Sequence, residues 1–281
     1  MRTIKRIYKA EYKPIANLIT YSPMPSRHLE MIDPFIFLNH HGPQNYGPDN
    51  KGLPFGPHPH RGMETVTIIM DGDISHKDSS GNDSVIESGG VQWMTAGKGL
   101  VHSEVSSENF MKKGGPLEIL QLWVNLPARL KMTPPKYKGL QKDDIPTTSL
   151  DQGKVRAQVI SGKLNETEGA FETLTEINLL TLHFEKGGVF KMNIPKEHNI
   201  LCYVIKGEIK IFGDVIEELH LVEFNNDDQQ VYVEAREESI LLFGHAEPFN
   251  EPVVFGGPFV MNTEEEIQQA YQDYKAGKFL S

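Results

Sequence analysis

The sequence predicts an all-β protein: two β-barrels of one kind, with a single short α-helix at the C-terminus. Three observations predict it. Strand-like segments are many and short, and Gly, Pro, Asn or Asp bound most of them. Glycine (25) and proline (18) are plentiful, which favours turns over helices. One strand-turn pattern also occurs twice. "ETVTIIMDGDI" (64–74) and "NILCYVIKGEI" (199–209) share a strand, then glycine, acid and isoleucine, at an offset of 135 residues.

Taken in order, Asp33 and Pro34 read as a turn before a strand. Strands are then expected at 64–72, 117–127, 154–162, 178–188, 199–213, 229–235 and 238–244, all rich in β-branched or aromatic residues. Many short strands so spaced imply a barrel or sandwich. The polar, proline-bounded stretch "PPKYKGLQKDDIP" (134–146) reads as a linker. The expected domains are therefore a barrel over 1–133, and a second barrel with the helix over 147–281. A prior of roughly 150 residues per domain agrees with two. In "NTEEEIQQAYQDYKAGKF", Thr263 and Glu266 have capping-box spacing. Ile267, Ala270, Tyr271 and Tyr274 make one apolar stripe, expected to pack against the barrels, and Gly277 stands where the helix stops.

Composition removes several function classes. The net charge is −10 and no basic run is present, which argues against direct nucleic-acid binding. The N-terminus, "MRTIKRIYKAEYK", is interrupted by charges and lacks the apolar core of a secretory signal. No stretch reaches the ~18 apolar residues a membrane helix needs. Cys202 is the single cysteine, so no intramolecular disulfide can form, and a buried thiol is expected. A cytoplasmic location follows, or a nuclear one if the source is eukaryotic.

A metal site needs several donors aimed at one point. Residues i and i+2 of an extended strand face the same way. His58 and His60 in "FGPHPHRGME" meet that condition, and so do His102 and Glu104 in "GLVHSEV". Between them lie a strand, a polar hairpin and a return strand, a meander that can set the two pairs side by side. Glycines 89, 90, 97 and 99 precede the second pair and allow tight turns close to a ligand. Three imidazoles and a carboxylate suit one divalent transition metal; iron(II) is favoured, with Mn, Ni, Cu and Zn as alternatives.

The segments "PHPHRGMETVTIIMDG" and "QWMTAGKGLVHSE" together resemble the pirin family of the cupin superfamily. "EPFNEPVVFGGPFVMNTEEEI" resembles that family's C-terminal segment. The resemblance implies a bicupin fold with one mononuclear metal, usually iron, in the N-terminal barrel. It implies His58, His60, His102 and Glu104 as ligands. It also implies a dioxygenase that opens the central ring of flavonols such as quercetin with loss of carbon monoxide, so a flavonol and O2 are the expected partners. Many cupins instead take a Glu shortly after HxH, here Glu64. Four extended residues carry Glu64 ~13 Å from His60, whereas Glu104 is one pleat from His102. Glu104 is therefore expected on the metal and as proton acceptor, with Glu64 orienting a ligand from behind.

A reading of another class is a redox-responsive regulator acting through a protein partner, since the family in animals includes nuclear transcriptional cofactors. Isomerase or other small-molecule chemistry is a third, because one fold hosts many activities. The offset of 135 carries His58 to Asn193, His60 to Pro195, His102 to Glu237 and Glu104 to Ser239. The second half has no HxH, and His183, His198, His220 and His245 are singles with expected structural roles. A second barrel without metal, serving as scaffold or lid, follows. His40 and His41 in "FLNHHGP" are candidates to approach the site mouth, with surface or hydrogen-bonding roles the favoured expectation. Trp93 and Trp123 are expected in cores, and Phe35, Phe37, Met63 and Met94 are candidates to line an apolar pocket.

Overall fold

The computed structural model describes residues 1–280. It divides into two compact units. The first comprises Tyr12–Tyr21, Phe35–Asp143 and the chain from Phe249 on. Its larger sheet runs Lys136–Leu140, Val91–Thr95, Met63–Asp71, Gly115–Asn125 and Phe35–Tyr46 in spatial order, each antiparallel to the next. Thr20–Met24 and Glu11–Tyr12 continue it at the edge. The smaller sheet is Phe55–His60, Leu100–Val105, Asp73–Asp78 and Asp83–Glu87. Ile69, Leu117 and Ile119 of the larger sheet and Ile74 and Ile86 of the smaller are buried in one cluster, which binds the two sheets into a barrel. Each such side chain, fully buried, contributes about 1.5–3 kcal/mol.

The second unit comprises Met1–Glu11, Ser22–Pro34 and Asp144–Pro248. Its larger sheet runs Ile4–Lys9, His220–Phe224, Asn199–Lys206, Ser239–Ala246, Asn178–Phe184, Val155–Ser161 and Thr147–Leu150. The smaller runs Val189–Asn193, Gln230–Ala235, Glu208–Ile211 and Asp214–Glu217. Strand for strand, this repeats the first unit's plan. The repeated motif sits at equivalent corners: Met63–Asp71 turns at Gly72 (φ 86°) and Asn199–Lys206 at Gly207 (φ 84°). Those left-handed angles explain why glycine recurs there. Cys202 is fully buried in this unit's core.

The boundaries drawn from composition differ from these units. The stretch expected as a linker contains the edge strand Lys136–Leu140, paired with Val91–Thr95. It reads as polar because an edge strand exposes one face, and Lys136 and Lys138 point out of it. The N-terminal strand Ile4–Lys9 belongs to the second unit, pairing with His220–Phe224, and takes the place that Lys136–Leu140 holds in the first. The helix Glu264–Lys275 packs in the first unit, not the second, against Phe259 and Phe279. Its capping box forms, and Gly277 (φ 75°) follows its end. Its buried residues are Ile267, Ala270 and Asp273, whereas Tyr271 and Tyr274 stay partly exposed. Asp273 displaces them from the buried face because it meets Arg61 there. A second helix, Glu108–Lys113, was not anticipated; Ser107 caps it by accepting from the Phe110 N–H. Among the described residues, no helix is long and apolar enough to cross a membrane.

Candidate metal centre

Phe55–His60 pairs with Leu100–Val105, which sets His58 opposite His102. On its other side Leu100–Val105 pairs with Asp73–Asp78, with His76 opposite Glu104. Residues opposite one another, or two apart, share a face. The ladder therefore gathers His58, His60, His102, Glu104 and His76 on one side of the smaller sheet. The ligating nitrogens of His58, His60 and His102 all lie within 4.8 Å of one another. The Nε2 atoms of His58 and His102 are 2.9 Å apart, and Glu104 Oε2 is 3.9 Å from His102 Nε2. The three imidazoles of the sequence-expected pairs are thus close together, and Glu104 lies beside one of them, His102.

Their protonation suits metal binding. A carbonyl only accepts, so His58 Nδ1, 2.7 Å from Gly56 O, and His60 Nδ1, 3.1 Å from Pro258 O, carry the ring protons. Nε2 of each ring is left as a lone-pair donor. Burial lowers the pKa of all three imidazoles, that of His60 to about 3, so the neutral ligating form prevails. Glu104 Oε1 accepts from Thr67 Oγ1 at 2.9 Å and from the Gln92 amide, while Gln121 Nε2 reaches Oε2 at 3.5 Å. Burial nonetheless raises the Glu104 pKa to about 7. A carboxylate that deep is comfortable at neutral pH only beside a positive charge. Three neutral imidazoles facing such an acid fit a divalent cation.

His76 is a neighbour of the candidate site that sequence reasoning missed. It is fully buried, its Nε2 is 3.0 Å from Asp78 Oδ2, and its ring stacks on Tyr137 at 4.0 Å. Asp78 is itself held by the Asn82 side chain and the Ser80 N–H. A carboxylate on Nε2 leaves Nδ1 as the lone-pair nitrogen, and that atom is buried without a hydrogen-bond partner. His76, His102 and Glu104 form a second group whose ligating atoms lie within 4.8 Å of one another. The available signal was the i, i+2 step from His76 to Asp78.

The carboxylate Glu64 lies elsewhere. Its Oε1 accepts from Thr95 Oγ1 at 2.6 Å, and burial raises its pKa to about 7. Gly62 (φ 82°) breaks the extended run after His60, so strand parity does not continue to Glu64. Thr67 reaches Glu104, and Glu64, three residues earlier on the same strand, faces the other way.

A cavity of about 270 Å³ opens on the cluster, lined by His58, His60 and Glu104 with Phe37, Phe55, Ile74, Ile119 and Trp123. Phe37 stacks on Trp123 at 4.4 Å, and Trp123 meets the His60 ring edge-on at 5.2 Å. Trp123 therefore lines the cavity rather than filling a core, while Trp93 is buried. Of the four pocket candidates only Phe37 lines it; Phe35, Met63 and Met94 are fully buried. His40 and His41 are both buried and hydrogen-bonded, His40 to Glu118 and His41 to Thr20, and His41 also lines the cavity.

In the other unit, Val189–Asn193 and Gln230–Ala235 hold the places of the donor strands. They put Phe190, Val231 and Val233 into an apolar core. His198 and His245 meet Nδ1 to Nδ1 at 2.9 Å, and His220 binds the Glu217 and Glu218 carbonyls.

Comparison with known proteins agrees with this architecture. The family model "Pirin" matches residues 17–124 and the model "Pirin C-terminal cupin domain" matches 179–280. A pirin-like protein of Caulobacter vibrioides is 38% identical over 254 residues, covering 89% of this chain and 88% of its own. Pirin-1 of Arabidopsis thaliana is 36% identical over 255 residues, covering 89% and 84%. A crystal structure of quercetin 2,3-dioxygenase from Acinetobacter baumannii superposes with a TM-score of 0.94 at 35% identity, over 100% of this chain and 99% of that one. Both halves of the repeat are thus accounted for by one family, and the chain belongs to the pirins, a bicupin family.

Proposed function

We propose that the protein is a metal-dependent dioxygenase that opens the central ring of flavonols such as quercetin. One observation carries the reading: the ligand nitrogens of three imidazoles lie within 4.8 Å of one another, the buried Glu104 carboxylate is 3.9 Å from His102 Nε2, and His58, His60 and Glu104 line an aromatic-walled cavity. The likeness to a protein described as a quercetin 2,3-dioxygenase supports it. His58, His60, His102 and Glu104 would hold one divalent ion, iron(II) in our reading, although the donor set also suits Mn, Ni, Cu or Zn. Such an ion supplies a Lewis acid and a template for a deprotonated 3-hydroxyl and for O2.

The chain's own residues do the rest. Gly56 O and Pro258 O fix the tautomers of His58 and His60, so these two imidazoles are preset to offer Nε2. Glu104 Oε1 is engaged by Thr67 and Gln92, which leaves Oε2, with only a long contact from Gln121, to face His102 and to take the 3-hydroxyl proton. Phe37, Phe55 and Trp123 supply flat apolar surface for an aromatic ring system and exclude water from it. The test is His102→Ala, with elemental analysis and oxygen uptake on quercetin. Loss of both metal and turnover is expected. Undiminished turnover in the metal-free variant refutes the assignment.

A further inference from the structure

The cavity has a polar end that the metal centre does not use. Phe37, Asn39 and His41 alternate along Phe35–Tyr46 and all line it. Phe37 stacks on Trp123, which touches His60, so this end of the strand lies beside the donor cluster. His41 lies four residues farther along, ~13 Å by strand rise, where it packs on Phe55 with ring centroids 5.1 Å apart. Its Nδ1 is engaged by Thr20 Oγ1 at 2.9 Å, so Nε2 is the nitrogen left for the cavity. Burial drives the His41 pKa down to about 3, so the ring is neutral at any working pH. Among the described residues the cavity lining carries no lysine or arginine.

A neutral imidazole with one free nitrogen either accepts or donates there, depending on which way the Thr20 hydroxyl turns. A hydroxyl group complements both states, since it is donor and acceptor at once. A carboxylate finds no cation at this end, and a bare hydrocarbon edge leaves the nitrogen unpaired. We infer that His41 is a specificity residue: its Nε2 hydrogen-bonds a phenolic hydroxyl on the ring remote from the metal, selecting neutral polyhydroxylated aromatic substrates.

This inference rests on the flavonol reading above, and the experiment separates the two. Equilibrium binding of quercetin and of 3-hydroxyflavone, which keeps the metal-binding 3-hydroxyl but has no remote one, is followed by tryptophan quenching on metal-loaded protein without oxygen. His41→Leu should weaken quercetin about tenfold while leaving 3-hydroxyflavone within about twofold, a contrast expected when one hydrogen bond is lost. His41→Gln should restore most of the difference, and Thr20→Val, which frees the ring, should weaken quercetin selectively without touching the cavity wall. Equal losses for both ligands, or none for either, overturn the inference. If the selectivity holds but neither ligand consumes oxygen, the dioxygenase reading fails and the His41 assignment stands. If neither flavonol binds the wild-type protein, both fail.

Discussion

Replacing Asp273 by alanine should loosen the C-terminal helix and, through it, the metal centre. Asp273 Oδ2 accepts from Arg61 at 2.8 Å, Oδ1 accepts from Gln269 and Lys278, and the two side chains of the Arg61 pair are only 5% and 11% exposed. Removing one member of a buried pair costs about 3–5 kcal/mol, because the other charge is left unpaired. Arg61 would keep the Lys98 carbonyl at 2.7 Å and the Phe279 ring at 4.6 Å, so the lower figure, about 3 kcal/mol, applies. At about 2–4 °C per kcal/mol, the melting temperature should fall by about 6–12 °C. The effect reaches the site because Val260 donates to the Arg61 carbonyl, two residues from the Pro258 carbonyl that holds His60 Nδ1. Misplacing that second partner should weaken metal binding by about tenfold. The assay is circular-dichroism melting of metal-free protein at neutral pH, followed by chelator competition. The hydrogen bonds from Lys278 and Arg61 hold the Asp273 carboxyl below the usual range. The difference between wild type and variant is therefore full above about pH 4 and shrinks as pH falls below it. A melting temperature within about 1 °C of wild type would show that the pair carries no such energy.

Two further outcomes follow from the same coordinates. His76→Ala should lower metal retention about tenfold by removing the buried imidazole beside His102 and Glu104; unchanged retention against a chelator would exclude a part for His76 in holding the ion. Gly207→Ala would place a Cβ 2.4 Å from the Glu238 carbonyl at φ 84°, and should destabilise the second barrel by about 1–3 kcal/mol in denaturant titration. Metal content should be unaffected, since every candidate donor lies in the other unit; a parallel loss of metal would contradict that.

The local parts of this protein were legible before any coordinates. Short β-branched and aromatic runs bounded by Gly, Pro, Asn or Asp located its principal strands, because such side chains suit the pleat. The steps His58 to His60 and His102 to Glu104 marked out the candidate site, because side chains two apart on a strand share a face. The Thr263 capping box and the glycines at 72 and 207 likewise depend only on residues close in sequence.

What tertiary structure alone decided is which distant segments meet. Lys136–Leu140 and Ile4–Lys9 look like polar linker and tail, yet each completes a sheet, because an edge strand needs only one apolar face and a partner's backbone. The C-terminal helix could have served either barrel; the buried Arg61–Asp273 pair places it in the first. Entry of His76 into the donor cluster depended on a cross-strand register, His76 opposite Glu104, that no local pattern encodes. Of the two adjacent candidates for the site mouth, the pairing of Phe35–Tyr46 with Gly115–Asn125 puts His41, not His40, on the cavity wall. Alternation along a strand is written in the sequence, but the pairing between strands is chosen by the whole fold.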